Sequence, residues 1–255
     1  MKKILLASAG LFALGVFASA NAADLAPRPY AKAPAPMVAV YDWTGFYIGL
    51  NGGWGTSRNC WDLTNVNGIV VAPAVREGCH NASGGTVGGQ LGYRWQAANW
   101  VFGLEAQGNW ADLNGSSLSD PAAFGAFVTN RTKVDGIGLF TGQVGYAFNN
   151  VLWYVKGGAA ATHSKHSGLI TGTGIVFDEA SETRWGAAVG TGIEVGFAPN
   201  WSVGLEYNHL FMGDRDITFP ATAIVNQRID TISQDVDLVT VRLNYRFGGP
   251  VVARY

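Results

Sequence analysis

Eight stretches of this chain alternate apolar and polar residues with period two, each about a dozen residues long and bounded by Gly, Asn or Pro. Successive strand side chains point to opposite faces, so alternation over this length specifies β-strands with one greasy and one polar side. The windows run approximately 44–55, 85–96, 100–110, 134–148, 151–161, 184–197, 201–211 and 236–247. Each is long enough for a tilted strand to cross the hydrocarbon of a bilayer, which takes roughly 9–11 residues. In the second window Val87, Gly89, Leu91, Tyr93 and Trp95 alternate with Gly88, Gln90, Gly92 and Arg94. In the last, Val239, Val241, Leu243, Tyr245 and Phe247 alternate with Thr240, Arg242, Asn244 and Arg246.

Periodicity alone fits a soluble sandwich as well as a membrane barrel, since both separate an apolar from a polar face. The aromatic residues decide between them. Trp95, Trp100, Tyr146, Trp153, Trp201, Tyr245 and Phe247 gather at one set of window ends, and Trp54, Trp110, Trp185 and Tyr207 lie toward the other. Two aromatic belts flanking a band of small and aliphatic residues suit the two headgroup levels of a membrane. Composition agrees: 14% charged residues and 35 Gly depart far from soluble averages, and 9 Trp, 9 Tyr and 13 Phe exclude disorder. Past the N-terminus no uninterrupted apolar run approaches the length of a membrane helix. Backbone groups in lipid must all pair, so the sheet has to close. The expected fold is all-β, an eight-stranded antiparallel up-and-down transmembrane β-barrel over residues 41–247.

The flanks address this barrel to an envelope. Lys2 and Lys3 precede an apolar run from Ile4 to Phe17, and Ala20-Asn21-Ala22 supplies the small residues of a cleavage site. Residues 1–22 therefore read as a signal peptide, 23–40 as an extended Ala/Pro periplasmic spacer and 248–255 as a short tail. Cys60 and Cys79 lie in the exported part, where disulfides persist, and read as one bridge within a loop. A net charge of −1 gives no nucleic-acid footprint.

Short turns near Ala97–Asn99, Asn149-Asn150 and Pro199-Asn200 alternate with long segments 56–84, 112–133, 162–183 and 212–235, which read as four outer loops. An even strand number puts both termini on the short-turn, periplasmic side. Eight strands leave an interior just wide enough for side chains to fill it. On the inward face, Glu105, Lys156, Glu194, Glu206 and Arg242 form an expected lumen network. Counted about the Pro199-Asn200 turn, Glu194 falls nearly opposite Leu205, which draws Glu194 and Glu206 together with Arg242 as the nearest cation. The competing reading is a narrow pore for small solutes in which these charges are solvated.

No enzymatic chemistry stands out. A lipid-modifying barrel needs a nucleophile and base on one face, and His163-Ser164 and His166-Ser167 are adjacent pairs that a strand points to opposite faces. His163 and His166, with Asp178 and Glu179, have donor types for a metal or haem iron but read more simply as a solvated polar loop. His209 reads as interfacial. No catalytic residue, cofactor or metal is assigned.

Four motifs also carry a resemblance: Trp43-Thr44-Gly45-Phe46-Tyr47-Ile48-Gly49 after the Ala/Pro spacer, Val144-Gly145-Tyr146-Ala147-Phe148, Lys156-Gly157-Gly158-Ala159 and the closing Asn244-Tyr245-Arg246-Phe247. In this order they resemble the small porin-like outer-membrane proteins of alpha-proteobacteria, a branch of the opacity-protein and OmpA-like eight-stranded barrels. The resemblance implies an outer-membrane monomer in contact with lipid and lipopolysaccharide, delivered by the outer-membrane assembly machinery, with Tyr245 and Phe247 in the assembly signal. It implies roles in surface antigenicity, envelope integrity, adhesion and, in some members, haemin binding. Such chains often stop at the terminal aromatic, whereas here Gly248 to Tyr255 follow Phe247.

Overall fold

The computed structural model describes residues 41–119, 128–221 and 226–248. The signal peptide, the spacer and the tail beyond Gly248 lie outside them. Eight strands follow in order: β1 Gly45–Val66, β2 Ile69–Ala97, β3 Trp100–Leu118, β4 Val128–Phe148, β5 Val151–Ile170, β6 Val176–Ala198, β7 Trp201–Phe219 and β8 Arg228–Phe247. Each pairs antiparallel with the next, and β1 pairs with β8 from Phe46↔Phe247 to Val66↔Arg228, closing the barrel.

The alternation does what the windows require. Phe46, Ile48, Leu50, Leu91, Leu104, Val241 and Leu243 face outward and are exposed, while Asn51, Gln90, Glu105, Gln143 and Arg242 face inward and are buried. A soluble protein would invert this pattern, so the greasy exterior is itself the mark of a lipid-facing wall. The rings pair as belts: Trp100 with Tyr146, Tyr146 with Phe148, Trp201 with Tyr245, and Tyr245 with Phe247. Trp95 stacks on Phe102, and Trp153 is exposed beside Tyr146 on the paired strand. Ten residues separate Trp100 from Trp110, which at about 3.4 Å per residue and a tilt near 40° makes a band roughly 25 Å tall.

One expectation fails: the four long segments, where described, are mostly strand rather than loop. Residues 56–84 are almost wholly strand, a hairpin closed by Asn67-Gly68, both at positive φ (51° and 81°), as a two-residue primed turn demands. β5 and β6 continue to a turn at 171–175, and the described parts of 112–133 and 212–235 are likewise mostly strand. The barrel thus rises past the outer belt as a β-collar. Out of lipid, the outward face need not be apolar, so the hydrophobic alternation that reveals the windows fades although the pairing continues. Cys60 and Cys79 are therefore not loop residues but directly opposed partners on β1 and β2, bridged with their Cα atoms 4.1 Å apart.

Because the ladder, not the bridge, holds the wall, Cys60→Ser should leave heat-modifiable gel migration intact. It should loosen the β1–β2 hairpin by up to about 3 kcal/mol, the loop-closure value for a ring of this size, read as faster amide exchange around Trp61. Failure to assemble a barrel would contradict this.

Candidate functional site in the barrel lumen

The inward face stacks the lumen into layers. At the mouth on the short-turn side Trp43 turns into the barrel among Val101, Ala147, Leu152 and Tyr154, its backbone N–H donating to Gln96 Oε1 at 2.9 Å. Above it, Arg94 on β2 donates twice to Glu194 on β6, at 2.8 and 3.1 Å, with its guanidinium 4.4 Å from the Tyr47 ring centroid. Next, Lys156 on β5 bonds Glu105 at 3.0 Å and Glu206 at 2.7 Å, and Arg242 on β8 bonds the same two carboxylates from the opposite wall. Tyr47 donates to Glu105 and Tyr154 to Glu206, both at 2.6 Å. Three cations thus meet three carboxylates at this end, all of them buried.

Glu105, Lys156, Glu206 and Arg242 come together as one cluster, and Glu194 sits beside it with Arg94 rather than sharing Arg242 with Glu206. A one-residue bulge between Gly196 and Ala198 sets Glu194 opposite Gly204, not Leu205. Parity requires it: a plain two-residue turn at Pro199-Asn200 would pair inward Glu194 with an outward residue.

A mesh of amides follows. Asn51 donates to Gln90 and Gln90 to Asn244, each at 2.7 Å, while Gln107 donates to Asn109 at 2.9 Å. Beyond it the lumen turns apolar, with Leu113, Val134, Leu139, Leu210, Val236 and Leu238 in one buried cluster. The inward face is therefore not polar throughout, contrary to the sequence reading. Further out Trp61 stacks on Phe219 and meets the His166 ring edge-on.

Inside the collar is a second charged group. Arg228 binds Glu77 at 3.1 Å and Asp178 at 3.1 Å, and lies 3.0 Å from Asp230. Arg184 bonds Glu182, whose carboxylate is 3.5 Å from His166 Nε2. Two arginines here face four carboxylates. Burial, with Glu77 and Asp178 close by, pushes the Asp230 carboxyl up to about 8 despite Arg228. Burial raises Glu77 as well. It lowers His80 to about 4, and it lowers His166, so both rings are neutral at pH 7.

The residues weighed as metal or haem ligands do not converge. His163 faces out and His166 in; Asp178 faces the lumen and Glu179 the exterior. They stand on paired strands, not in a solvated loop, because the collar continues the alternation. Among the described residues no group of three or more His, Cys, Asp and Glu is arranged to hold a metal ion. His209 faces outward at the outer belt, its Nδ1 2.7 Å from Asp237. Sequence reasoning missed Arg94, Tyr47, Tyr154, Trp43 and the Arg228 group. Arg94 was already on the polar face of its window, but only the folded diameter shows that it reaches Glu194.

A family model described as the outer membrane protein beta-barrel domain matches residues 8–247. The chain belongs to that family. It is 31% identical over 264 aligned positions to the 31 kDa outer-membrane immunogenic protein of Brucella melitensis, covering 97% of this chain and 100% of that one. It is 27% identical over 189 positions to the 22 kDa outer membrane protein of Rhizobium leguminosarum bv. viciae, covering 71% and 70%. The crystal structure of OprG from Pseudomonas aeruginosa, at 15% identity, superposes with a TM-score of 0.55 over 81% of this chain and 97% of that one, and shares the fold. The protein is an outer-membrane β-barrel of the immunogenic, OmpA-like type.

The collar carries a pH signature. Above pH 6.5 the folded chain keeps a proton on Asp230 that the unfolded chain, titrating near 3.8, has released, so stability falls as pH rises toward 8. His80 and His166, with folded values below the ordinary 6.5, cost stability only as pH falls below 6.5. Collar stability should drop by about 2 kcal/mol from pH 6.5 to 8, at about 1.4 kcal/mol per unit. Asp230→Asn should abolish the slope, measured by amide exchange of β1, β2 and β8. An unchanged slope would contradict the assignment.

Proposed function

We propose that this protein is a closed, non-enzymatic barrel that works through its exterior: it anchors a rigid β-collar at the cell surface and contributes to envelope integrity and surface contact. The observation that carries this is the filled lumen. A permeant ion would have to pass Trp43, a compensated charge cluster whose Arg242 and Glu194 are 0% exposed, the amide mesh and an apolar layer in succession. Buried charges that are paired and hydrogen-bonded on both sides are costly to separate, which argues against the narrow-pore reading. The outward reach of β1 and β2, eleven residues past Gly55 on β1, gives the surface contact its material basis. Lipid and lipopolysaccharide meet the wall between the belts, and Tyr245 and Phe247, both on the outer face of the closing strand, fit an assembly signal even with residues beyond them.

Purified protein in planar bilayers should show no steady single-channel conductance above background, and a steady open channel would overturn the reading. Protease added to intact cells should cut at the β5–β6 turn, residues 171–175, and spare Asn149-Asn150. The reverse pattern would overturn the orientation.

A further inference from the structure

The outer wall of the barrel is not uniform around its girth. Just outside the outer aromatic belt, Lys133 on β4 and Lys165 on β5 stand directly opposite one another, side chains outward and nearly half exposed. Like charges at directly opposed positions weaken a strand pair. Asp112, 2.9 Å from Lys133, and Asp135, 3.4 Å from Lys165, offset the repulsion, and exposed Arg131 adds a third cation two residues further out. On the far side, the outer half of β7 and β8 presents Asp214, Asp216, Asp235 and Asp237, with exposed Arg215 among them.

Below the lysines, on the same two strands, small residues dominate the outward face. Gly138 pairs with Ala161 and with Gly108 of β3, and four residues nearer the periplasm Gly142 pairs with Gly157, with exposed Phe140 opposite Ala159 between the two levels. Trp110 and Trp185, both strongly exposed, stand on either side. The backbone does not ask for these glycines. A Cβ built at Gly108 or Gly138 would meet nothing within 4 Å, and at Gly142 and Gly157 the nearest atoms lie at 3.8 and 3.6 Å, ordinary contact. None has positive φ. Inward Gly88 and Gly158 differ, since a Cβ there would come within 2.1 Å of a carbonyl oxygen of the next strand. Glycine inside a strand costs backbone entropy and packs nothing. Outward Gly108 and Gly138 thus keep clear a space that no part of the described chain fills, one outward pair, Gly136 and His163, beneath the opposed cations.

We infer that the β4–β5 wall binds a phosphorylated, multiply acylated lipid of the outer leaflet, of the lipid A class. Its phosphate oxygens engage Lys133, Lys165 and Arg131, and its acyl chains lie in the trough between Trp110 and Trp185. The charge fits a phosphate, the trough fits several adjacent chains, and the vertical order of the two fits a lipid whose headgroup faces outward. The inference rests on the orientation given above, with the collar outside.

The test uses the full mature chain in detergent micelles, titrated with bisphosphoryl lipid A, phosphatidylglycerol and inorganic phosphate, with binding followed by tryptophan fluorescence. Wild type should bind bisphosphoryl lipid A at least ten-fold more tightly than either other probe. Lys133→Gln with Lys165→Gln should weaken that binding about ten-fold and flatten its salt dependence. Gly138→Leu with Ala161→Leu should weaken it similarly and keep the salt dependence, while Val241→Leu on the far wall should change nothing. All variants should keep heat-modifiable migration. Equal binding of the three probes, or full affinity in both double variants, overturns the inference. Labelling of Gly68→Cys on intact cells by a membrane-impermeant maleimide separates the two readings. If the turn labels and the titrations fail, the lipid site alone falls; if it does not label, the orientation falls and takes the site with it.

Discussion

In the hydrocarbon of a membrane no water is present to satisfy a peptide group, and the pairing of β1 with β8 follows from that single constraint. Closure at eight strands then sets the bore, and a bore this narrow is filled by the side chains that point into it. Most inward side chains near the short turns are polar or charged, and they lose their water on entering. Each carboxylate must therefore find a cation within reach. Lys156 and Arg242 approach Glu105 and Glu206 from opposite walls, and Arg94 crosses the lumen to Glu194. Tyr47 and Tyr154 supply further donors, so the buried oxygens are hydrogen-bonded as well as neutralised.

The two ends of the lumen solve the same problem differently. At the short-turn end Arg94, Lys156 and Arg242 balance Glu105, Glu194 and Glu206, Trp43 caps them, and Arg246 is held by the carbonyls of Thr44 and Pro199. In the collar, two arginines serve four carboxylates, and burial favours a proton on Asp230, which removes one of the two excess charges. The apolar layer of Leu113, Leu139, Leu210 and Leu238 separates the two groups, so neither can compensate the other through it.

Within the membrane, both faces of the strands were legible in the sequence, because lipid outside and a crowded lumen inside enforce period two. Glu105, Lys156, Glu206 and Arg242 were recognisable as a set for the same reason. Their partners were not, because pairing across a barrel depends on register summed over several strands: Glu194 lies in line with Arg242 through Gly204, yet the side chain that bonds it is Arg94, from across the lumen. The collar was hidden because water outside it removes the hydrophobic half of the pattern: Arg58, Asn81, Lys133 and Lys165 face out where Trp54 and Trp110 do lower down. Outward Gly108 and Gly138 carry no signal in the sequence, and only the folded wall shows that nothing in the described chain comes within 4 Å of a Cβ there.

Urea unfolding of Arg242→Ala, set beside the charge-balanced double variant Glu206→Gln, Arg242→Met, which keeps the Lys156–Glu105 pair, bears most directly on the desolvated charge cluster. Removing Arg242 alone leaves two buried carboxylates to share Lys156, and the barrel should lose about 3 kcal/mol or more, while the double variant should stay within about 1–2 kcal/mol of wild type. If Arg242→Ala unfolds with wild-type stability, the charges are solvated, and the lumen is a water-filled pore rather than a sealed core.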